Sequence, residues 1–492
     1  MKLRPLRSAL PILPALLLLA LAGCASAPGT PEGAPPAAPA PAATPATSPA
    51  PVKARLDIPV DYYRLPNGLR VVLSEDHSVP LATIGVYVNI GFRIEPRDRT
   101  GFAHLFEHMM FQGSANLGKM EFVRLIQANG GVLNGSTRFD FTNYFETVPT
   151  HTLEAMLWAE ADRFRSLAIN QDNLTNQINV VKNEVRVNVL NQPYGGFPWL
   201  DMPQYANENW YNAHNFYGEL EHLEAAKLEE VLAFFDTYYG PENSVLVVVG
   251  DFDPAQTRGW IEKYFGNIPR RKAPPIPDIT EPPQTREKRA TRADALAPRP
   301  ALAVGYHVPE RWTPEHLAFG LIDYLLLQGA DSALNRRLVQ EKGYTDSVSG
   351  GLNLLGNMFN YQGPMLWIAS LTHDAQHTSD EILVEFDAEI ARLQNERVSA
   401  AELERARTKY RSDLYDVLGQ ASRFGIVDLL ASFALFDDDP ALINQIESRV
   451  AQVTPELIQQ TAQKYLRREN RTILQIEPGK TARPAAAQEG KP

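Results

Sequence analysis

Cysteine is almost absent from this 492-residue chain: there is one, Cys24. A single thiol excludes an intrachain disulfide framework, so the fold must stand on its apolar core. Positive charge is also in deficit. With 47 Lys and Arg against 58 Asp and Glu, the formal charge is −11, which argues against a phosphate-binding surface and hence against a nucleic-acid partner. No apolar run is long enough to span a bilayer as a stable helix. The longest, "ALPILPALLLLALAG" (9–23), is short and broken by proline. What the chain has in plenty is hydrophobic residues, 44%, enough for substantial cores. Its length suggests about two to four domains.

The N-terminus has a direction. Lys2, Arg4 and Arg7 precede the apolar run, the build of a secretory signal peptide. It ends in "LAGC" and resembles a bacterial lipoprotein signal: residues 1–23 would be removed and Cys24 acylated as the new N-terminus. Two or three acyl chains anchor stably where one does not. Ala25 and Ser26 follow, with no Asp at the second position, which resembles the outer-membrane class. The expectation is a protein lipid-anchored to the outer membrane and facing the periplasm. Residues 24–57 are Pro/Ala-rich and read as a semi-rigid tether.

Structure is expected from residue 58. "YYRLPNGLRVVLSED" reads as a hairpin turning at Asn67-Gly68, and "LATIGVYVNIG" as a buried strand. A Pro-rich, charged stretch over 270–290 marks a linker, separating a first domain, 58–269, from a second, 291–480, with a disordered tail at 481–492. The two domains look like copies. "YYGPENSVLVVVGDFDP" (238–254) aligns without gaps on "YLRRENRTILQIEPG" (465–479), and "GFAHLFEHMMFQG" (101–113) on "LAFGLIDYLLLQG" (317–329). In the second copy His104, Glu107 and His108 become Gly320, Asp323 and Tyr324. The helix therefore belongs to the fold, whereas the polar trio belongs to the first half alone.

His104 and His108 are four residues apart, one helical turn, so both imidazoles leave the same face. Two such histidines can clamp a metal ion, and the adjacent Glu107 can take a proton from an activated water. The order H-x-x-E-H is the inverzincin signature. A catalytic zinc needs a third protein ligand and an open fourth position. Glu184, inside "NLTNQINVVKNEVRVNVLNQPYG" and 76 residues after His108, is the candidate.

With these residues the chain resembles the pitrilysin-like zinc peptidases, the family that includes insulin-degrading enzyme and the mitochondrial processing peptidase. The likeness runs from about residue 60 to 480. It implies an α+β fold: two homologous α/β domains, each a mostly antiparallel sheet packed on helices, forming one half of a clam-shell chamber. The first domain would be catalytic and the second inactive. The resemblance further implies one Zn2+ per chain, bound by His104, His108 and Glu184, with Glu107 as general base. Substrate peptide would dock as an added strand on a sheet edge, for which 130–149 is the matching region, Asn134 touching substrate backbone.

Two departures stand out. Many relatives have a Glu seven residues before the ligand Glu; here it is Gln177, which can hydrogen-bond in support but cannot act as a carboxylate. Self-sufficient members also carry an Arg and a Tyr, seven apart, in the second half. In "LNRRLVQEKGYTDSV" (334–348), anchoring on Leu334, Leu338, Gly343, Ser347 and Val348 puts Val339 and Asp346 at those positions. A shift of two would recruit Arg337 and Tyr344, but two helical residues turn a side chain by about 200°. The first register implies a heterodimer in which a homologous subunit supplies Arg and Tyr. The leading expectation is thus a zinc-dependent endopeptidase acting on peptides or unfolded segments in the periplasm. The alternative is a non-catalytic or partner-dependent subunit of a peptidase-like complex.

Overall fold

Asn67 and Gly68 do make the first turn. In the computed structural model, which describes residues 56–479, β1 (Asp61–Arg64) and β2 (Arg70–Glu75) pair antiparallel around them. Gly68 takes φ 93°, a left-handed conformation open to glycine at no steric cost. The Asn67 amide donates to the carbonyls of Phe265 and Ile268, tying the turn to the end of a distant helix. The expected signal peptide, Cys24, nearly all of the tether and the 481–492 tail lie outside the described residues.

Four further strands complete the first sheet: β3 (Leu81–Val88), β4 (Val132–Thr137), β5 (Thr142–Pro149) and β6 (Ser244–Gly250). Their order is β1-β2-β6-β3-β5-β4. Every residue of β6, "SVLVVVG", is buried, as befits a β-branched strand covered on both faces. The second sheet holds β7 (Lys288–Asp294), β8 (Ala301–His307), β9 (Ser349–Leu352), β10 (Leu366–Thr372) and β11 (Arg471–Pro478), in the order β7-β11-β8-β10-β9. The two orders match strand for strand once β1 is set aside. Each sheet is antiparallel except for one parallel pair, β2 with β6 and β7 with β11. The duplication seen in the sequence is therefore a duplication of topology, in an α+β fold of two mixed sheets packed on helices.

Two expectations need adjusting. The linker stretch 270–290 ends early, because Lys288, Arg289 and Ala290 already pair as β7 against β11. The region 130–149 is not one edge strand but the β4–β5 hairpin, and only β4 lies at the sheet edge.

The halves are not stacked side by side; each covers the other's sheet. The helix Phe424–Phe436, from the second half, lies against β2, β3 and β6. The short helix Asp201–Ala206, from the first half, lies against β7, β8 and β11. The former is buried from Gly425 to Leu435, and an all-round apolar helix is stable only inside a core. Its polar groups are met by the first half. Arg70 donates to the carbonyls of Ala434 and Leu435 at its C-terminal end, and the Tyr87 hydroxyl donates to Asp428 at 3.0 Å. A buried ion pair, Arg93 to Asp140 at 2.7 Å, sits at the same junction, with Asp140 also accepting from the Gln362 and Gly363 amides. All described residues accordingly belong to one compact unit.

This shared core makes Leu430 a test position, since it is 0% exposed on the helix that bridges the halves. Leu430→Ala is expected to destabilise the protein by about 2–5 kcal/mol through lost burial and a residual cavity. Val384→Ala, at a site 67% exposed, should stay within about 0.5 kcal/mol. Denaturant unfolding of the two variants checks this; similar shifts would contradict the packing described.

Candidate metal centre and active site

The motif helix, Phe102–Met109, starts at Gly101, whose φ of 88° lets the chain turn abruptly into it. Its first amides have no partner within the helix, and the completely buried Glu95 meets them, accepting from Gly101 at 2.9 Å and Ala103 at 2.5 Å. Burial pushes the Glu95 carboxyl up to about 8, against the pull of those two amides. Phe102, Leu105, Phe106 and Met109 fill the core; Phe106 stacks on Phe234 at 5.0 Å and meets Tyr239 at 5.1 Å. With those four pointing inward, the 3.6-residue period leaves His104, Glu107 and His108 toward a neighbouring helix and β4.

That neighbour is Gln171–Val185, capped by the Asn170 side chain, which accepts from Asn173 at 2.9 Å. It continues as a π-helical turn over Arg186–Leu190, so Glu184 sits where the helix widens, a place such turns often mark as functional. The Glu184 carboxylate lies 3.5 Å from His104 Nε2 and 3.1 Å from His108 Nε2, and the two Nε2 atoms lie 3.3 Å apart. Donors at about 2.0–2.1 Å from a tetrahedral zinc stand roughly 3.3 Å from one another. Each Glu184 oxygen faces a different imidazole, and one ligand atom from each of the three residues lies within 4.8 Å of the others, close enough to converge on one metal ion. Among the described residues this is the sole cluster of His, Cys, Asp or Glu close enough to hold a metal ion. Hydrogen bonds from His104 and then His108 hold the Glu184 carboxyl well below the usual carboxylate range. His104 Nδ1 is buried and has no hydrogen-bond partner among the described residues.

Glu107 stands beside the cluster, half-buried, and its Oε2 accepts from the Thr137 hydroxyl at 2.8 Å. The Tyr217 ring packs edge-on against His104, centroids 5.4 Å apart. Gln177 is buried two turns before Glu184 on the same helix. Asn134 is exposed on β4, its Oδ1 accepting from the Gly135 amide at 2.9 Å. The sequence reading missed Glu95, Thr137 and Tyr217. For Thr137 a signal existed: it shares strand parity with Leu133 and Gly135, the face turned to the motif helix. For Glu95 and Tyr217 there was none, because they reach the site through loops.

The second half answers the same positions differently. On the helix Pro314–Leu326, Asp323 is buried and accepts from Trp367 Nε1 at 2.6 Å and Gln328 at 3.0 Å. Burial raises its carboxyl to about 6. The Tyr324 hydroxyl donates to Asp413 at 2.7 Å, and Gly320 leaves part of a 380 Å³ cavity open where His104 stands in the first half. The Arg/Tyr positions also resolve. Val339 and Asp346 line one 450 Å³ cavity beside Gln328 and Gly350. Arg337 turns elsewhere, to Glu385 at 2.5 Å and Glu341 at 2.9 Å, and the Tyr344 ring packs on His377.

Two family models match this chain, "Insulinase (Peptidase family M16)" over residues 70–208 and "Peptidase M16 inactive domain" over 225–410. The chain is 26% identical to the zinc protease PqqE of Helicobacter pylori over 76% of its own length and 83% of that protein's. It is 29% identical to an insulin-degrading enzyme homolog of Dictyostelium discoideum over 44% of its length, which is 23% of that longer protein. The crystal structure of a protease from Helicobacter pylori superposes with a TM-score of 0.78 at 23% identity, covering 86% of this chain and all of that one. A duplicated sheet topology, a metal-competent first half and a first-half motif absent from the second agree with both models, and the chain belongs to peptidase family M16.

Proposed function

We propose that the protein is a zinc-dependent endopeptidase that cleaves peptides or unfolded segments in the periplasm, with His104, His108 and Glu184 as metal ligands and Glu107 as general base. The observation that carries this is the convergence of His104 Nε2, His108 Nε2 and the Glu184 carboxylate, whose two oxygens lie 3.5 and 3.1 Å from the respective imidazoles while the two nitrogens lie 3.3 Å apart, beside the Glu107 carboxylate. A bound zinc would supply Lewis acidity toward a water and the scissile carbonyl. The chain's own residues do the rest. β4, at the sheet edge next to the motif helix, offers unpaired backbone to an extended peptide, which selects strand conformation more than side chains. Asn134 lies on that strand. Glu107 Oε1, not engaged by Thr137, takes a proton from the attacking water and delivers it to the leaving amine. Gln177, two turns below Glu184, supports the Glu184 helix in its orientation toward the cluster.

One requirement is unmet within this chain. The oxyanion formed on the scissile carbonyl needs hydrogen-bond donors, and Val339 and Asp346 offer none. Arg337 is held by two carboxylates on another side of its helix. The reading that follows is a heterodimer, with a homologous subunit contributing Arg and Tyr across the chamber. A wholly non-catalytic role is disfavoured because the ligand trio and Glu107 are all in place. The N-terminal pattern adds a lipid anchor at Cys24 on the outer membrane.

Three expectations test this. Glu184→Gln should lower bound zinc, measured by metal analysis, whereas Glu107→Gln should keep zinc and lose about 10²–10⁴-fold in turnover. Full zinc in the first or normal hydrolysis in the second would refute the assignments. The isolated chain should hydrolyse a reporter peptide poorly, and co-purification with its homologous partner should raise kcat by about 10²–10³-fold; full activity alone, lost on Arg337→Ala, would overturn the heterodimer. Cys24→Ser should move the protein out of the membrane fraction, and persistence there after a high-salt wash would contradict lipidation.

A further inference from the structure

Thr137 is the only described residue whose side chain hydrogen-bonds Glu107, and its surroundings suggest more than incidental contact. Along β4 the side chains of Leu133, Gly135 and Thr137 face the motif helix while Val132 and Asn134 are exposed. A Cβ at Gly135 would stand 3.3 Å from Glu107 Cγ and 3.4 Å from the Phe111 ring, so the Glu107 stem already lies against this strand. Thr137 itself sits at the closed end of the β4–β5 hairpin, opposite Thr142. That end is pinned. Arg138 and Phe141 close it, Phe92 and Arg93 donate to the carbonyls of Arg138 and Phe139, and Thr142 donates to the Ile90 carbonyl. A β-branched side chain on such a backbone has little χ1 freedom.

Glu107 differs in every respect. Its flexible side chain is half-buried and otherwise unheld, so its carboxylate would sample several rotamers, and a base that must meet a water in one direction loses rate when it wanders. The Thr137 hydroxyl, donating to Oε2, leaves Oε1 as the free oxygen. We infer that Thr137 is the positioning residue for Glu107: β4 serves the peptide with its open edge and fixes the base with its inward face. One element then sets both the carbonyl's position and the base's direction, which couples docking to chemistry. This inference rests on the peptidase reading above for its kinetic consequence, but its structural claim stands apart.

The test uses the full chain, with its partner subunit where turnover requires one, and a fluorogenic peptide. Thr137→Val keeps shape and removes the donor; Thr137→Ser restores the donor on a smaller side chain. The expected result is a fall in kcat of about ten- to a hundredfold for Thr137→Val, with KM and zinc content unchanged and kcat largely recovered in Thr137→Ser. Crystal structures of wild type and Thr137→Val add a readout independent of turnover: Glu107 should hold one orientation in the first and leave it in the second. A wild-type kcat with Glu107 unmoved in Thr137→Val, or equal impairment in Thr137→Ser, overturns the inference. Should the wild-type protein bind zinc yet cleave nothing, the peptidase reading falls, and the Glu107 orientation still decides the role of Thr137.

Discussion

Everything at this site depends on bringing two helices together with ångström precision, because three donor atoms from positions 76 residues apart must stand about one tetrahedral edge from each other. An error of one helical turn, about 5.4 Å, would abolish the cluster. The motif helix is fixed at both ends to prevent that. Glu95 holds its first amides. At the other end Arg163, completely buried, reaches the Met110 carbonyl and pairs with Glu160. Beneath it, burial and then the neighbouring Glu160 push the Glu146 carboxyl well above the ordinary range. Such a network is costly to break, since removing one partner strands the other in a low-dielectric core. Between these ends, the stack of Phe106 on Phe234 and Tyr239 sets the helix's rotation.

The duplicated topology explains how this precision coexists with a second half that lacks the chemistry. Both sheets have an equivalent helix after an equivalent strand, so the frame needs none of the polar residues. The halves are nevertheless inseparable, because the helix Phe424–Phe436 is a wall of the first sheet's core and Asp201–Ala206 a cover for the second. A disturbance in the second half therefore reaches β2, β3 and β6, the strands behind the site, through direct contact. That route is steric and local, through Val427 and its neighbours. A Cβ on Gly85 of β3 would stand 2.5 Å from Val427 Cγ1, which leaves little slack between the layers.

How much of this the sequence disclosed follows from which interactions are local. Asn67-Gly68, the buried β3 strand and the i, i+4 histidine pair are each set by neighbours a few residues away, and each was legible. The repeat was legible because it recurs as a pattern. Glu184 was reached through its apolar helix and a family resemblance; no local feature sets it apart from other carboxylates. Tyr217 and Glu95 were invisible for the same reason, their roles arising only where non-local elements meet, whereas Thr137 was marked only by its strand parity. The 130–149 stretch read as a single edge region, whereas its inward face falls on odd positions in β4 and even positions in β5, and the tight turn at 138–141, stabilised by contacts with residues 92 and 93, separates the two strands. The cross-covering helices were equally hidden, since an apolar helix does not announce which sheet it will lie on.

The contrast between the halves also bears on why the first keeps so polar a cluster in an apolar setting. In the second half each corresponding polar group has found a protein partner: Asp323 has Trp367 and Gln328, and Tyr324 has Asp413. In the first, His104 and His108 both aim Nε2 at one carboxylate and at each other, and among the described residues His104 Nδ1 has no partner and Glu107 has a single hydroxyl. An unsatisfied buried polar group costs roughly 1–3 kcal/mol. A chain shaped only by its own packing would resolve these groups as the second half does, and the shared frame shows that such a resolution is available to it. Here the donors instead converge, two imidazoles and two carboxylates side by side. A divalent cation would satisfy such a set by bonding all three donors at once, a role that no side chain among the described residues fills.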